Sequence, residues 1–129
     1  MSKFNVKEIR KKVLETDDRV FGTVEVDEWD GVEIPFISLT MRERRRIREK
    51  SIKMLDDGTP KVDSEQMEIQ AFIEACKDHD TEEKIFSQGD VEALWDKNSN
   101  AISKVANKIL NTSDMEKSGE EKVEEAKNS

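Results

Sequence analysis

Two short runs of alternating residues, separated by an Asp-Gly pair, constrain the fold of this chain more than any other feature. The first run covers residues 20–26 and the second covers residues 32–37, with Asp30-Gly31 between them. Alternation on both sides of an Asp-Gly pair is typical of a β-hairpin. Pro35 cannot donate a backbone hydrogen bond, so the second strand is predicted to have an edge at that position.

Most of the remaining sequence has helical periodicity. We predict a helix over residues 5–16, a helix from Met41 to about Leu55, a helix after Asp63, a short helix after Ser87 and a final helix ending near residue 111. Capping signals precede four of them: Asn5, Thr40 with Glu43, Asp63 with Gln66, and Ser87 with Asp90. The expected fold is mainly α in the α+β class, with an N-terminal helix and one β-hairpin followed by about four helices.

The C-terminal stretch has a different composition from the rest. Residues 112–129 hold six acidic residues and three lysines, and their only sizeable apolar residues are Met115 and Val123. Such a segment buries too little surface to offset the entropy lost on ordering. We therefore predict one small folded domain over residues 1–111 and a disordered acidic tail over residues 112–129.

The composition argues against several classes of partner. Charged residues make up 40% of the chain and the net charge is −8, which disfavours a general nucleic-acid or anionic-membrane surface. No apolar run approaches the roughly 20 residues that a membrane span requires. Cys76 is the single cysteine, so no intrachain disulfide can form, as a reducing cytoplasm would permit.

Candidate catalytic and metal-binding residues are sparse. Cys76 and His79 have a metal-like spacing, but no further pair completes a ligand set. The segment from Asp96 begins like a calcium loop, yet its sixth position is Ala101 and its twelfth is Asn107. The five glycines are scattered singly, so no phosphate-binding loop is present. We expect no catalytic, cofactor or metal site, and no enzymatic activity.

Two features indicate partner binding. The run of residues 42–48 is rich in arginine, and it is either a solvated helix face, a docking surface for an acidic partner or, least favoured, a nucleic-acid contact. Trp29 lies at the predicted turn, where a large aromatic can project outward, whereas Trp95 is expected to close the core. The candidate partner-binding residues are Trp29, Phe36, Arg44, Ile47, Arg48 and Leu55.

A family resemblance covers roughly residues 20–112. Its landmarks are Val24-Glu-Val-Asp-Glu-Trp29, the Arg/Glu-rich helix after Leu39-Thr40, the acidic loop Asp78-His-Asp80, and the segment from Ile85 to Leu94 with the pattern Phe-Ser-x-x-Asp-Val-x-x-Leu. In these features the chain resembles the tail assembly chaperones of long-tailed bacteriophages and prophages. It departs from them at residues 81–83, where a loop glycine is expected, and the N-terminal helix lies outside the resemblance.

The resemblance implies a non-enzymatic role. Such chaperones bind the long, aggregation-prone tape measure protein before the tail tube polymerises, and the resemblance implies the tail tube protein and a frameshifted long form of the chain as further partners. It also implies a location in the host cytoplasm and absence from the mature virion. Two other interpretations remain open: a small regulatory or DNA-associated phage protein that uses the arginine-rich helix, and a minor structural protein of the virion.

Overall fold

The computed structural model describes residues 3–113, which contain five helices and two hairpins. The helices are α1 (Val6–Glu15), α2 (Met41–Lys50), α3 (Ser64–Ala75), α4 (Val91–Trp95) and α5 (Ser99–Thr112). The strands are β1 (Phe21–Val26), β2 (Val32–Ile37), β3 (Ile52–Met54) and β4 (Pro60–Val62). The predicted order of an N-terminal helix, a hairpin and four helices is confirmed.

The first hairpin pairs β1 with β2 in antiparallel register, with Val24 opposite Ile34. Its turn is a short 3-10 helix over Asp27–Trp29, followed by two residues with positive φ, Asp30 at 58° and Gly31 at 71°. These are the residue types that adopt this conformation at least cost, so the Asp-Gly prediction is confirmed.

The predicted end of the second helix at Leu55 is wrong. The helix ends at Lys50, where the backbone N–H of the buried Ser51 donates to the carbonyl of Arg48 and its hydroxyl donates to the carbonyl of Ile47 at 2.6 Å. The chain then enters a second hairpin, β3 paired with β4, which the sequence analysis missed. Asp57 and Gly58 form its turn, with Gly58 at φ 84°. The Asp-Gly pair that we interpreted as a helix stop is therefore a second hairpin turn.

The core lies where α3 meets α5, and α3 also packs against α2 while α5 packs against β1. The apolar stripes predicted for both central helices are confirmed. The buried members are Ile69, Phe72, Ile73 and Cys76 from the α3 segment, and Ile102, Val105, Ala106, Ile109 and Leu110 from α5. Val24, Val26, Ile34 and Phe36 add the inner face of the first hairpin.

Helix α1 differs from the other long helices because none of its residues is buried. Asn5 caps it as predicted, accepting a hydrogen bond from the backbone N–H of Glu8 at 3.1 Å. Its aliphatic side chains nevertheless face solvent. Within residues 3–113, no helix has the length and apolar character needed to cross a bilayer.

The C-terminal boundary of the fold lies slightly beyond the predicted one. Thr112 is the last residue of α5, and the hydroxyl of Ser113 accepts a hydrogen bond from the backbone N–H of Leu39 at 2.9 Å. These two residues therefore belong to the folded part. The predicted disordered tail otherwise falls on residues 114–129, which lie outside the described residues.

Candidate functional site

A buried carboxylate on α3 ties α2 to the core. Glu74 is buried, and both its oxygens accept hydrogen bonds from Arg46 at 3.0 Å, with Lys84 donating a third at 3.2 Å. Burial alone would raise the pKa of Glu74, but the bonds from Arg46 and Lys84 hold it below its usual value. Arg46 belongs to the arginine-rich run, and the sequence pattern gave no sign of this contact because its partner on α3 is distant in sequence.

A second buried acid supports the same arrangement. Glu43 accepts the backbone hydrogen bond of Thr40 at 2.9 Å and completes the predicted capping box at the start of α2. The other oxygen of Glu43 pairs with Lys77, beyond the end of α3. Glu43 and Arg46 of α2 thus have partners within the domain. These contacts determine which face of α2 remains exposed.

Trp29 lies between the core and the surface. Its ring meets Phe72 edge-to-face, with the ring centroids 6.0 Å apart, and it is half-buried. Together with Asp30, Phe72, Phe86, Leu94 and Lys97 it lines an open groove that we call the Trp29 groove. This groove has an aromatic floor, and Asp30 and Lys97 place one charge of each sign at its margin.

The exposed face of α2 forms a separate surface. Met41, Arg42, Arg45 and Arg48 line a shallow groove there, which we call the arginine surface. The Trp29 groove and the arginine surface share no lining residue. Trp29 and Arg48, both among the candidate partner-binding residues, therefore line different grooves.

The six candidate partner-binding residues lie in different environments, and no observation tests whether any of them contacts a partner. Phe36 and Ile47 are fully buried. They therefore do not reach the surface, although candidate partner-binding residues were expected to do so. Leu55 is exposed, but it lies in the turn of the second hairpin and not on α2. Arg48 is exposed on the arginine surface.

Arg44 is the least expected of the six. It is half-buried, and its Nε is enclosed with no hydrogen-bond partner among residues 3–113. It therefore does not share the open face of α2 on which Arg48 lies. Of the six, Arg48 and Leu55 are exposed, and Trp29 and Arg44 are half-buried.

A second groove, which the sequence analysis did not find, lies between α3, α4 and α5. Ile69, Leu94 and Ile102 form its floor, Trp95, which is 41% exposed, also lines it, and Glu65 and Glu68 stand at one side. We call it the Trp95 groove. The expectation that Trp95 closes the core is wrong, because α4 is only five residues long and presents Leu94, not Trp95, to the core.

Cys76 and His79 are structural. Burial raises the pKa of the Cys76 thiol. The Nε2 atom of His79 lies 3.0 Å from the carbonyl oxygen of Gly22 and 3.1 Å from that of Phe36, so this nitrogen carries the proton. His79 is half-buried against the first hairpin. Among residues 3–113, no three His, Cys, Asp or Glu side chains converge as a metal site would require.

Comparison with known proteins finds similarity at the level of the fold. No protein-family model matches the sequence, and no curated protein matches it. Among solved structures, the chain is similar to the tail assembly chaperone of bacteriophage HK97, with a TM-score of 0.51 and 17% identity. The match covers 81% of this chain and 97% of that chain. The two proteins share a fold. The predicted family is thus supported at the level of the fold.

Proposed function

We propose that this protein is a tail assembly chaperone of a tailed phage or prophage, which binds the tape measure protein and keeps it soluble until the tail tube forms. The observation that carries the proposal is the fold shared with the HK97 tail assembly chaperone over 97% of that chain. The chain acts by binding and not by catalysis, in the host cytoplasm, and is absent from the finished virion.

The Trp29 groove is the surface we assign to this client. Its floor combines two phenylalanine rings with the half-buried indole of Trp29, and large aromatics in such settings often dominate binding energy. An open apolar groove of this kind accepts one face of an amphipathic helix. The net charge of −8 helps to keep a chaperone–client complex dispersed.

Co-expression with the tape measure protein of the same phage tests the proposal. We expect the tape measure protein to be soluble and to co-purify with this chain, and to be insoluble when expressed alone. Trp29→Ala should weaken co-purification by roughly 30-fold, corresponding to about 2 kcal/mol. Arg48→Glu, on the separate arginine surface, is the control and should bind normally.

A tape measure protein that stays insoluble, or that fails to co-purify with the wild-type chain, would refute the proposal. Loss of binding in Arg48→Glu with retention in Trp29→Ala would instead assign the client to the arginine surface. Salt-sensitive binding of the purified chain to random duplex DNA would support the DNA-associated interpretation, for which Arg42, Arg45 and Arg48 are the exposed candidates.

A further inference from the structure

Two arginines on the exposed face of α2 have no acidic partner within the part of the chain that the structure describes. Arg42 and Arg48 line the arginine surface, and neither donates a hydrogen bond to a described residue or forms an ion pair with one. Arg45 differs from them, because it pairs with Glu49 at 3.0 Å. None of the described residues that line this groove is acidic. An acidic protein thus exposes a small surface whose charges are all positive.

The other basic helix, α1, does not concentrate its charge in this way. The groove along α1 is lined by Lys11 and Lys12, but also by Glu8 and Glu15, so its charges balance. The arginine surface has three cations among its lining residues. A negatively charged ligand therefore finds the stronger field on α2.

The sequence that follows the described residues has the opposite charge. Residues 114–129, which we call the acidic segment, hold six acidic residues and three lysines, a net charge of −3. Four of the six acids form two adjacent pairs, Glu120-Glu121 and Glu124-Glu125. The acidic segment and the arginine surface are thus complementary in charge.

The acidic segment also begins beside the arginine surface. The hydroxyl of Ser113 accepts a hydrogen bond from the backbone N–H of Leu39 at 2.9 Å. Met41, which lines the arginine surface, follows Leu39 by two residues, so the segment starts within roughly 10 Å of that surface. Residues 114–129 can extend at most roughly 55 Å, whereas α2 is about 15 Å long. The segment is therefore long enough to follow the whole of α2.

We propose that the acidic segment lies on the arginine surface of its own chain and neutralises it, which keeps this surface from binding other polyanions. The tether makes even a weak contact frequent, because joining two groups by a short chain gives an effective concentration in the millimolar range. Contacts between exposed charges add little to the stability of a fold. The segment therefore controls what the arginine surface binds and hardly affects the thermal midpoint. This inference does not depend on the client in the Trp29 groove.

A nitroxide label in the acidic segment of the full chain measures the contact. Ala126→Cys accepts the label, whereas Cys76 does not react because it is fully buried. The comparison is a tail-neutral variant with the same label, in which the four glutamates of the two adjacent pairs are changed to glutamine. The amide protons of Arg42 and Arg48 should relax at least about twofold faster in the wild-type background, since the tether is identical and only the charge differs. This excess should vanish at an ionic strength of about 1 M, where the Debye length is about 3 Å.

The matched control neutralises four acids on other surfaces. Its changes are at exposed glutamates that do not line the arginine surface: Glu25→Gln, Glu28→Gln, Glu33→Gln and Glu92→Gln. The net charge changes by the same amount as in the tail-neutral variant. Relaxation at Arg42 and Arg48 should nevertheless equal that of the wild type. Thermal midpoints of all variants establish that each remains folded.

Exchange of the charges between the two sides tests the contact directly. Arg42→Glu with Arg48→Glu should abolish the excess relaxation in α2. Adding lysine at the four glutamates of the two adjacent pairs should restore it, because opposite charges then face each other again. Immobilised heparin provides a second measurement with a defined polyanion. The tail-neutral variant should elute from it at higher salt than the matched control.

Four results would overturn the proposal. The first is equal relaxation of α2 in the wild type and the tail-neutral variant, and the second is an excess that falls on α1 and not on α2. The third is failure of the exchanged charges to restore the excess. The fourth is elution of the tail-neutral variant and the matched control from heparin at the same salt concentration.

A mixture of two preparations distinguishes contact within a chain from contact between chains. Isotope-labelled chain without nitroxide is mixed with nitroxide-labelled chain that carries no isotope. We expect no faster relaxation in α2 of the isotope-labelled chain. An excess there as large as in the singly prepared protein would place the acidic segment on another copy and contradict the proposal.

Discussion

The ring of Phe36 occupies the space in which a side chain at Gly22 would lie. The two residues are partners across the first hairpin, and a Cβ built on Gly22 would stand 2.6 Å from Cζ of Phe36. Phe36 is fully buried, so its ring has no free space into which it could move. A glycine is therefore required at this position for packing and not for backbone conformation.

Gly22→Ala is expected to destabilise the fold by about 1–3 kcal/mol, as overpacking of a filled core does. The thermal midpoint should fall by at least about 4 °C for a domain of this size. Gly89→Ala is the control, because the nearest atom to its added Cβ lies at an ordinary 3.5 Å. The double variant Gly22→Ala with Phe36→Leu should lose less free energy of unfolding than the sum of the losses in the two single variants. Strictly additive losses would contradict the packing argument.

Arg46→Ala should lower the free energy of unfolding by about 2 kcal/mol, because it removes two hydrogen bonds from the buried carboxylate of Glu74. The loss is kept moderate by Lys84, which still pairs with Glu74, and by the 41% exposure of Arg46. Arg45→Ala is the matched control on the same helix. Its partner Glu49 is exposed, so the loss there should stay below about 0.5 kcal/mol.

The same carboxylate should make stability depend on pH. Since the pKa of Glu74 in the folded state lies below its usual value of 4.5, its ionised form contributes stability above pH 4.5 that is lost as the pH falls further. The difference in unfolding free energy between wild type and Glu74→Gln should therefore shrink below pH 4.5. Urea unfolding at a series of pH values measures it, and a constant difference would show that the charge of Glu74 is not responsible.

Deleting residues 114–129 should leave the thermal midpoint within about 4 °C, as their composition predicts. A truncation that also removes Ser113 should lower the free energy of unfolding by about 1 kcal/mol more, because the half-buried N–H of Leu39 loses its acceptor. Ser113→Ala in the full chain should reproduce this extra loss. A larger drop on the first deletion would show that the acidic segment docks on the domain.

Trp29→Ala should lower the midpoint, because the ring packs against Phe72 and the hydrophobic core. Arg48→Glu should leave the midpoint unchanged, since the Arg48 side chain is exposed. Differential scanning calorimetry separates these outcomes. Equal midpoints for Trp29→Ala and wild type would mean that Trp29 contributes nothing to the fold and is wholly available to a partner.

Cys76 should react with thiol reagents only when the protein unfolds. The side chain is fully buried and burial raises the pKa of the thiol, so little thiolate is exposed in the native state. Labelling with an aromatic disulfide reagent is expected to be slow in buffer and complete in denaturant. Because the chain has one cysteine, rapid native labelling would directly contradict the burial of this residue.

The local features of this fold were predictable because local interactions determine them. The turn at Asp30-Gly31 follows from the ease with which these residues adopt positive φ, and the caps at Asn5, Thr40 and Asp63 follow from side-chain oxygens that accept nearby N–H groups. The apolar periodicity of α3 and α5 identified the central core. In each case the decisive partner lies within a few residues along the chain.

What the sequence did not determine depends on partners distant along the chain. After Lys50 the chain pairs β3 with β4, and this pairing outweighs a helical pattern that continued to Leu55. Arg46 bonds to Glu74 on another helix, Trp29 packs against Phe72 of α3, and Trp95 stays 41% exposed while Leu94 fills the core. Periodicity shows which side chains share a helix face, but it does not show which element packs against that face. The packing of α2, α3 and α5 decides which faces remain open.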